Sequence, residues 1–382
     1  MPTTSRNLGR HRARWLLLLA VLALLASACG SDDDNGDAGG GNGGETASGC
    51  EVGETDGDLA LYNWAEYIDP EHLDAFAAEF GISATMTTYE SNETMLPTIT
   101  AGNAGYDVIV PSDYMVGIMI DGGFIQKLDF DAIPNASNLS DDFRNPSYDP
   151  TQEYSLPYQW GYTGLAVNTA EVGTDFPRSW DVVFGDFAND YAGKITLLND
   201  PRETLGAALK ALGYSLNTTD QDELNQARDL VGAAKGNLLA FNTDSSDELL
   251  TSGESVIAHV YSGDAFTQFL ETDDPSQYVF FVPEEGGTRW VDNMAIPFDA
   301  PHPCTAHTFI NWLYDADQGA ALSNWNYYGT PNKASIDLLD EELNEFLTSP
   351  DVLVGGPDSV ESIADTGDFE TNYADAFTEA KG

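Results

Sequence analysis

The sequence predicts an α/β protein of two domains with mostly parallel sheets. Short apolar strands alternate with stretches of helical spacing. The part able to fold, from about residue 58 onward, is about 320 residues long and exceeds the usual size of one domain. Glycines and prolines punctuate the alternation where helices should start and stop.

The elements follow in order. Leu59-Ala60-Leu61-Tyr62-Asn63 is a short apolar strand. Asp69-Pro70 supplies an N-cap and a first-turn proline. Leu73, Phe76, Ala77 and Phe80 then recur at helical spacing, and Gly81 stands where a C-cap glycine belongs. Residues 82–89 alternate like a strand. Asp107-Val108-Ile109-Val110 reads as a buried strand ended by Pro111. Further strands are expected over 194–198, 256–260 and 291–296, and a helix over 305–314.

The chain opens differently. Arg6, Arg10, Arg12 and Arg14 precede a twelve-residue apolar run, 15–26. That run has the length of a signal-peptide core and is short for a membrane span. Leu25-Ala26-Ser27-Ala28-Cys29 resembles a bacterial lipobox, so residues 1–29 read as a signal peptide with Cys29 lipidated and placed at the mature N-terminus. Ala26 stands where leucine is commoner, and cleavage without a lipid is the alternative. Residues 30–58 carry nine acidic residues and no Lys or Arg. Such a stretch buries too little apolar surface to fold, so 30–57 is expected to be a flexible tether. Its glycines mimic a nucleotide-binding motif, but no strand precedes them. Cys50 and Cys304 remain. In an oxidising compartment a disulfide between them would staple the tether to the folded part, and two free thiols are the alternative.

The formal net charge is −48. That argues against nucleic acid, which requires basic patches. It is compatible with a cationic ligand but equally with a surface that serves solubility. Function therefore has to rest on particular carboxylates. Open α/β sheets bind ligands beyond the carboxyl ends of their strands. Trp64, Glu66 and Tyr67 follow the first strand; Ser112, Asp113 and Tyr114 follow Val110. Asp200 and Glu203 follow Leu198, and Tyr261 and Asp264 follow Val260. Trp290 and Asp292 repeat the ring-and-carboxylate pairing. Rings offer negative faces and carboxylates accept ammonium hydrogen bonds, so this inventory suits a cation. Its one arginine is Arg202. Each residue also has a structural reading. Asp200-Pro201-Arg202-Glu203 is a capping box, Ser112 or Asp113 could cap a helix near Met115, and Trp64, Tyr67 and Trp290 could be core rings.

The histidines are scattered, with no metal-binding spacing, and no hydrolase elbow or phosphate-binding loop is present. An exported two-domain α/β chain without these features reads as a binding module rather than an enzyme, with no cofactor and no bound metal.

Several segments carry a resemblance. They are Leu61-Tyr62-Asn63-Trp64-Ala65-Glu66-Tyr67, Thr88-Tyr89-Glu90-Ser91-Asn92-Glu93-Thr94-Met95, Tyr106 to Ser112, Leu212-Gly213-Tyr214, Asn217-Thr218-Thr219-Asp220, Trp290 to Pro297, and Tyr328-Gly329-Thr330-Pro331-Asn332. In order and over residues 58–340, the chain resembles the periplasmic spermidine/putrescine-binding proteins, the PotD-like group of type II solute-binding proteins. The last forty residues match poorly. The resemblance implies a two-lobed periplasmic-binding-protein fold with a ligand cleft between the lobes. Lobe 1 would comprise 58–165 plus 292–335, and lobe 2 would comprise 166–291 plus 336–382. It implies a monomeric, lipid-anchored extracytoplasmic protein that hands a linear polyamine to the membrane subunits of an ABC importer. Trp64, Glu66 and Tyr67 would hold one amine end, beside Ser112 and Tyr114. Asp200 and Glu203 would form the acidic pair of the other lobe. Trp290 would pack on the methylenes, Asp292 would pair with a ligand nitrogen, and Tyr328 would add a contact. Tyr261 replaces a common tryptophan and Ala65 a common threonine. Tyr261-Ser262-Gly263-Asp264 resembles the putrescine-preferring branch, while the rest is closer to the spermidine-preferring one. Alternatives of the same fold are a binder of another organic cation and a ferric-ion binder, the latter suggested by Tyr327-Tyr328.

Overall fold

The computed structural model describes residues 49–382. Cys29, the expected signal peptide and residues 30–48 of the expected tether lie outside them.

The chain begins with β1 (Leu59–Asn63), α1 (Pro70–Phe80), β2 (Ala84–Thr88), α2 (Asn92–Thr100), β3 (Val108–Ile109) and α3 (Asp113–Gly122). After a long connection come β4 (Ser155–Asn168), α4 (Thr169–Val172), α5 (Asp181–Phe184), β5 (Ile195–Leu197), α6 (Pro201–Ala211), α7 (Gln221–Ala234), β6 (Leu238–Phe241), α8 (Ser246–Thr251), β7 (Ile257–Tyr261) and α9 (Ser262–Leu270). The remainder is β8 (Tyr278–Phe281), β9 (Thr288–Ala295), α10 (Pro303–Leu313), α11 (Ala316–Asn326), α12 (Glu341–Thr348) and α13 (Glu370–Lys381).

The local signals in the sequence operate as physical chemistry requires. The Asp69 side chain accepts the Glu71 N–H, Pro70 opens α1, and Gly81 closes it in the left-handed conformation at φ 70°. Leu73 and Phe76 form its buried face. Ser91 and Thr94 close a reciprocal capping box at the start of α2.

Among the described residues the sheet order is β2-β1-β3-β9-β4-β7-β5-β6, with β8 paired to β4. The expectation of mostly parallel sheets is corrected. β1–β2, β1–β3, β5–β6 and β5–β7 are parallel, but β3–β9, β4–β9, β4–β7 and β4–β8 are antiparallel. Helical crossovers generate the parallel ladders at each end. The middle is made by two long strands running in opposite directions. The first half of β4 pairs with β9, from Ser155↔Ala295 to Thr163↔Thr288. Its second half pairs with β7 and β8. The 14-residue β4 thus passes from one half of the molecule to the other. Its register shifts between Pro157 and Gln159, which accommodates a proline that cannot donate to a ladder.

Separate cores support the two halves. Phe76, Val108, Met294, Phe309 and Ile310 pack around the β1–β3 end. Leu165, Trp180, Ile195, Leu197 and Ile257 pack around the β5–β7 end. The C-terminal stretch joins the latter: Tyr373, Ala376 and Phe377 of α13 bury against Leu205, Leu224 and Val231 of α6 and α7.

The expected tether ends earlier than residue 57. A disulfide joins Cys50 to Cys304 across 254 positions of sequence. The Asp56 carboxylate accepts the Thr305 N–H at 3.0 Å, and the Thr308 hydroxyl donates to the Glu54 carbonyl at 2.6 Å. Acidic composition alone suggested a free segment, but these carboxylates and carbonyls serve buried N–H and hydroxyl groups in the first turns of α10. Cys50→Ser is expected to lower stability by about 2–4 kcal/mol and to raise amide hydrogen exchange over 50–57. Unchanged exchange there would show that the hydrogen bonds suffice without the disulfide.

Candidate functional site

The strand ends of both halves meet at one cavity of about 690 Å³, counted out to its open mouth. All twelve ligand-contact residues expected from the sequence line it. From the first half come Trp64, Glu66, Tyr67, Ser112 and Tyr114; from the other come Asp200, Glu203, Tyr261 and Asp264; Trp290, Asp292 and Tyr328 complete the set.

Local structure fixes each group. The Trp64 indole N–H donates to the Val110 carbonyl at 2.9 Å, which ties the loop after β1 to the end of β3. Glu66 adopts φ 51°, a left-handed conformation that costs a non-glycine residue about 1–3 kcal/mol. Two glycines let rings approach the backbone. A Cβ on Gly161 would stand 2.7 Å from the Trp290 ring, and one on Gly263 would stand 2.6 Å from the Tyr328 ring. The rings pack edge to face: Trp290 lies 5.9 Å from Tyr261 and 5.2 Å from Tyr328, and Tyr67 lies 5.1 Å from Tyr328.

Hydrogen bonds decide the cap readings, while the core reading of the rings holds alongside their place in the cavity wall: Tyr67 and Trp290 are buried members of the first half's core, and Trp64 packs against it. Ser112 occupies the N-cap position of α3, but its hydroxyl makes no cap bond; it donates to Asp292 Oδ1 at 2.7 Å. The Tyr67 hydroxyl donates to Asp292 Oδ2 at 2.9 Å. Asp200 is indeed the cap of α6. Its Oδ1 accepts the N–H groups of Arg202 and Glu203 at 2.8 and 2.9 Å, so the cap uses one oxygen of two. Glu203 does not complete the capping box; it accepts the hydroxyls of Thr163 and Thr288 at 3.0 and 2.8 Å. Asp200→Ala is therefore expected to cost about 1 kcal/mol of stability, whereas Glu203→Gln leaves the cap intact. Thermal melts of the two variants check this, and an equal or larger loss for Glu203→Gln would contradict it.

Electrostatics gives the site its character. Among the described residues that line it, seven are carboxylates, seven are aromatic, and none is Lys, Arg or His. The donors that hold the carboxylates are neutral hydroxyls and backbone N–H groups, which orient a charge without compensating it. Burial consequently dominates. It lifts Asp292 and Glu203 to about 7 and Asp113 to about 8. Asp200 and Asp264 are held well above the usual carboxylate range, again by burial first. Arg202, the one basic residue in the sequence inventory, does not line the cavity, although its guanidinium lies 5.3 Å from the ring centre of the lining Tyr114 and its charge partly offsets that of Glu203. Its guanidinium meets both oxygens of Glu370 at 2.7 and 2.8 Å and lies 4.4 Å from the Tyr373 ring centre.

Several lining residues lay outside the expected set: Tyr89, Asn92, Thr243, Asp244 and Ile363, together with Asp113. Tyr89 and Asn92 follow β2, and Thr243 and Asp244 follow β6. The strand-end rule applied to those strands finds them. Ile363 lies in an irregular segment and has no such signal. The pair Tyr327-Tyr328 does not converge. Tyr328 donates to Asp264 Oδ1 at 2.6 Å inside the cavity, while the Tyr327 ring packs 5.0 Å from Phe266 and does not line it.

Two α/β lobes joined by long strands, with a lined cleft at the strand ends, define the class of solute-binding proteins. The family of bacterial extracellular solute-binding proteins matches residues 71–351. The chain is 37% identical over 295 residues to a spermidine/putrescine-binding periplasmic protein of Escherichia coli, covering 77% of this chain and 83% of that one. It is 33% identical over 292 residues to a putrescine/cadaverine-binding protein of Pseudomonas aeruginosa, covering 75% and 82%. A solved structure described as a putative spermidine/putrescine ABC transporter from Listeria monocytogenes superposes with a TM-score of 0.78 at 31% identity, covering 85% of this chain and 99% of that one. The protein belongs to the bacterial extracellular solute-binding proteins.

Proposed function

We propose that this protein captures a linear polyamine outside the cytoplasm and delivers it to the membrane subunits of an ABC importer. One observation carries the reading: among the described residues, seven carboxylates and seven rings line a cavity to which no lysine, arginine or histidine contributes. Leaving buried carboxylates charged and unpaired is costly, and a multiply protonated guest removes that cost. The names of the relatives in Escherichia coli and Pseudomonas aeruginosa support the same ligand class.

In this reading Asp292, pinned by Ser112 and Tyr67, pairs with one ligand nitrogen. Asp200 and Glu203 take an ammonium at one end, and Glu66 and Asp264 take one at the other. Trp64, Tyr261, Trp290 and Tyr328 desolvate the methylenes, with Tyr67 and Tyr114 flanking them. Each cation held against a ring contributes about 0.5–2 kcal/mol. The lobes divide near the middle of β4 and β9, with 58–165 plus 292–335 in one and the remainder in the other. Closure is driven by contacts that form only when both lobes touch the guest. The protein acts as a monomer, tethered through lipidated Cys29, and performs no catalysis.

Calorimetric titration of the full chain with spermidine, putrescine and glutamate tests the reading. The amines are expected to bind with micromolar or tighter Kd and glutamate not at all. Binding of glutamate, or silence toward both amines, would overturn it.

A further inference from the structure

Glu66 and Asp264 belong to two cavities at once. Beyond them lies a second recess of about 910 Å³, counted to its open mouth. Met86 contributes from the first half of the molecule, and Asp247 and Glu271 from the other. Trp325 adds an apolar wall. Among the described residues no Lys, Arg or His lines this recess either.

The decisive residue is Asp247, in the first turn of α8. It is 2% exposed, yet its Oδ2 has no hydrogen-bond partner among the described residues. An unsatisfied buried carboxylate oxygen is costly to maintain and is not required by the fold of a six-residue helix. Burial first, and then the charges of Glu248 and Glu271, raise its carboxyl to about 6 against its own backbone hydrogen bonds. Its charge, after burial, also raises Glu66. Among the described residues no cluster of three or more His, Cys, Asp or Glu is arranged to hold a metal ion, so the recess suits a single ammonium better than a divalent cation.

We propose that this recess receives the outermost ammonium of a polyamine longer than a diamine, which extends the ligand class to linear tetraamines. The inference rests on the reading of the main cavity as a polyamine site. The guest's penultimate nitrogen stays with Glu66 and Asp264, its next methylenes run beside Met86 and Trp325, and its last ammonium meets Asp247 and Glu271. A diamine held in the main cavity does not reach them.

Titration calorimetry of the full chain with spermine and with putrescine provides the test. Asp247→Asn is expected to weaken spermine binding tenfold or more and to change putrescine binding by a much smaller factor, felt only through the lost charge beside Glu66 and Asp264. Glu271→Gln, at an exposed position, is expected to act in the same direction with a smaller effect and no risk to the fold. Spermine affinity unchanged in both variants, or equal losses for the two amines, would overturn the assignment while leaving the main cavity's role standing. A wild-type chain that binds neither amine would instead remove the underlying reading.

Discussion

Asp292→Asn is expected to weaken polyamine binding by about 2–5 kcal/mol, or roughly 30- to 4,000-fold. Asp292 is fixed from two sides within the first half of the site, since its oxygens accept from Ser112 after β3 and from Tyr67 after β1 while the residue itself lies on β9. The ammonium paired with it would lose a charged acceptor in a buried place, where the loss is largest. The fold should survive. Asn keeps one acceptor for a hydroxyl, and the substitution removes a charge whose burial is unfavourable in the empty protein. The variant's melting temperature at pH 8 should therefore equal or exceed that of the wild type. Unchanged affinity by calorimetry would contradict the role assigned to Asp292, and loss of cooperative unfolding would mark it as structural.

The second large effect is on pH. Asp292 and Glu203 are raised to about 7 and Asp113 to about 8, all chiefly by burial. A carboxyl raised in the folded state binds its proton more tightly there than in the unfolded chain. The stability it contributes is fully present below the unfolded value, near 4, and is lost as pH rises through 7 to 8. The empty protein is thus expected to melt at a progressively lower temperature from pH 5 to pH 8. Ligand binding reverses the trend. A polyamine's ammonium groups stay charged over this range and require the carboxylates to ionise, so binding must release protons. The affinity is expected to be at least tenfold tighter at pH 8 than at pH 6. Calorimetry in buffers of different ionisation heat should report at least one proton released at pH 7. A flat pH profile with no proton release would mean that the carboxylates are already charged and compensated in the empty cleft.

Much of this arrangement is legible in the sequence because it is local. Asp69, Pro70 and Gly81 bound α1 through short-range backbone chemistry, and the strand-end rule finds Trp64, Ser112, Asp200 and Tyr261 because strands of a sheet end together. The less legible parts depend on distant partners. The 14-residue β4 contains Pro157, Gly161 and Gly164, which break any strand signal. Its length is set by β9, β7 and β8 pairing along it, and no local propensity encodes that. Asp200 could not be assigned to cap or ligand from spacing. The choice turns on which oxygens the backbone occupies, and Glu203 leaves the capping box only because Thr163 and Thr288 reach it from strands 40 and 85 positions away. Asp247 gave no sequence signal, since its lack of a partner is a property of the folded surroundings.

The burial of Arg202 has a consequence for the end of the chain. Its guanidinium is anchored by Glu370, at the start of α13, and stacked on Tyr373 within it. The helix acts as a leash on the nearest arginine beside an acidic chamber. A chain clipped ahead of residue 370 would keep the bonds from Arg202 to Asn217 and the Ala364 carbonyl but strip the guanidinium of its counter-charge, leaving a lone buried cation behind the wall of the cleft.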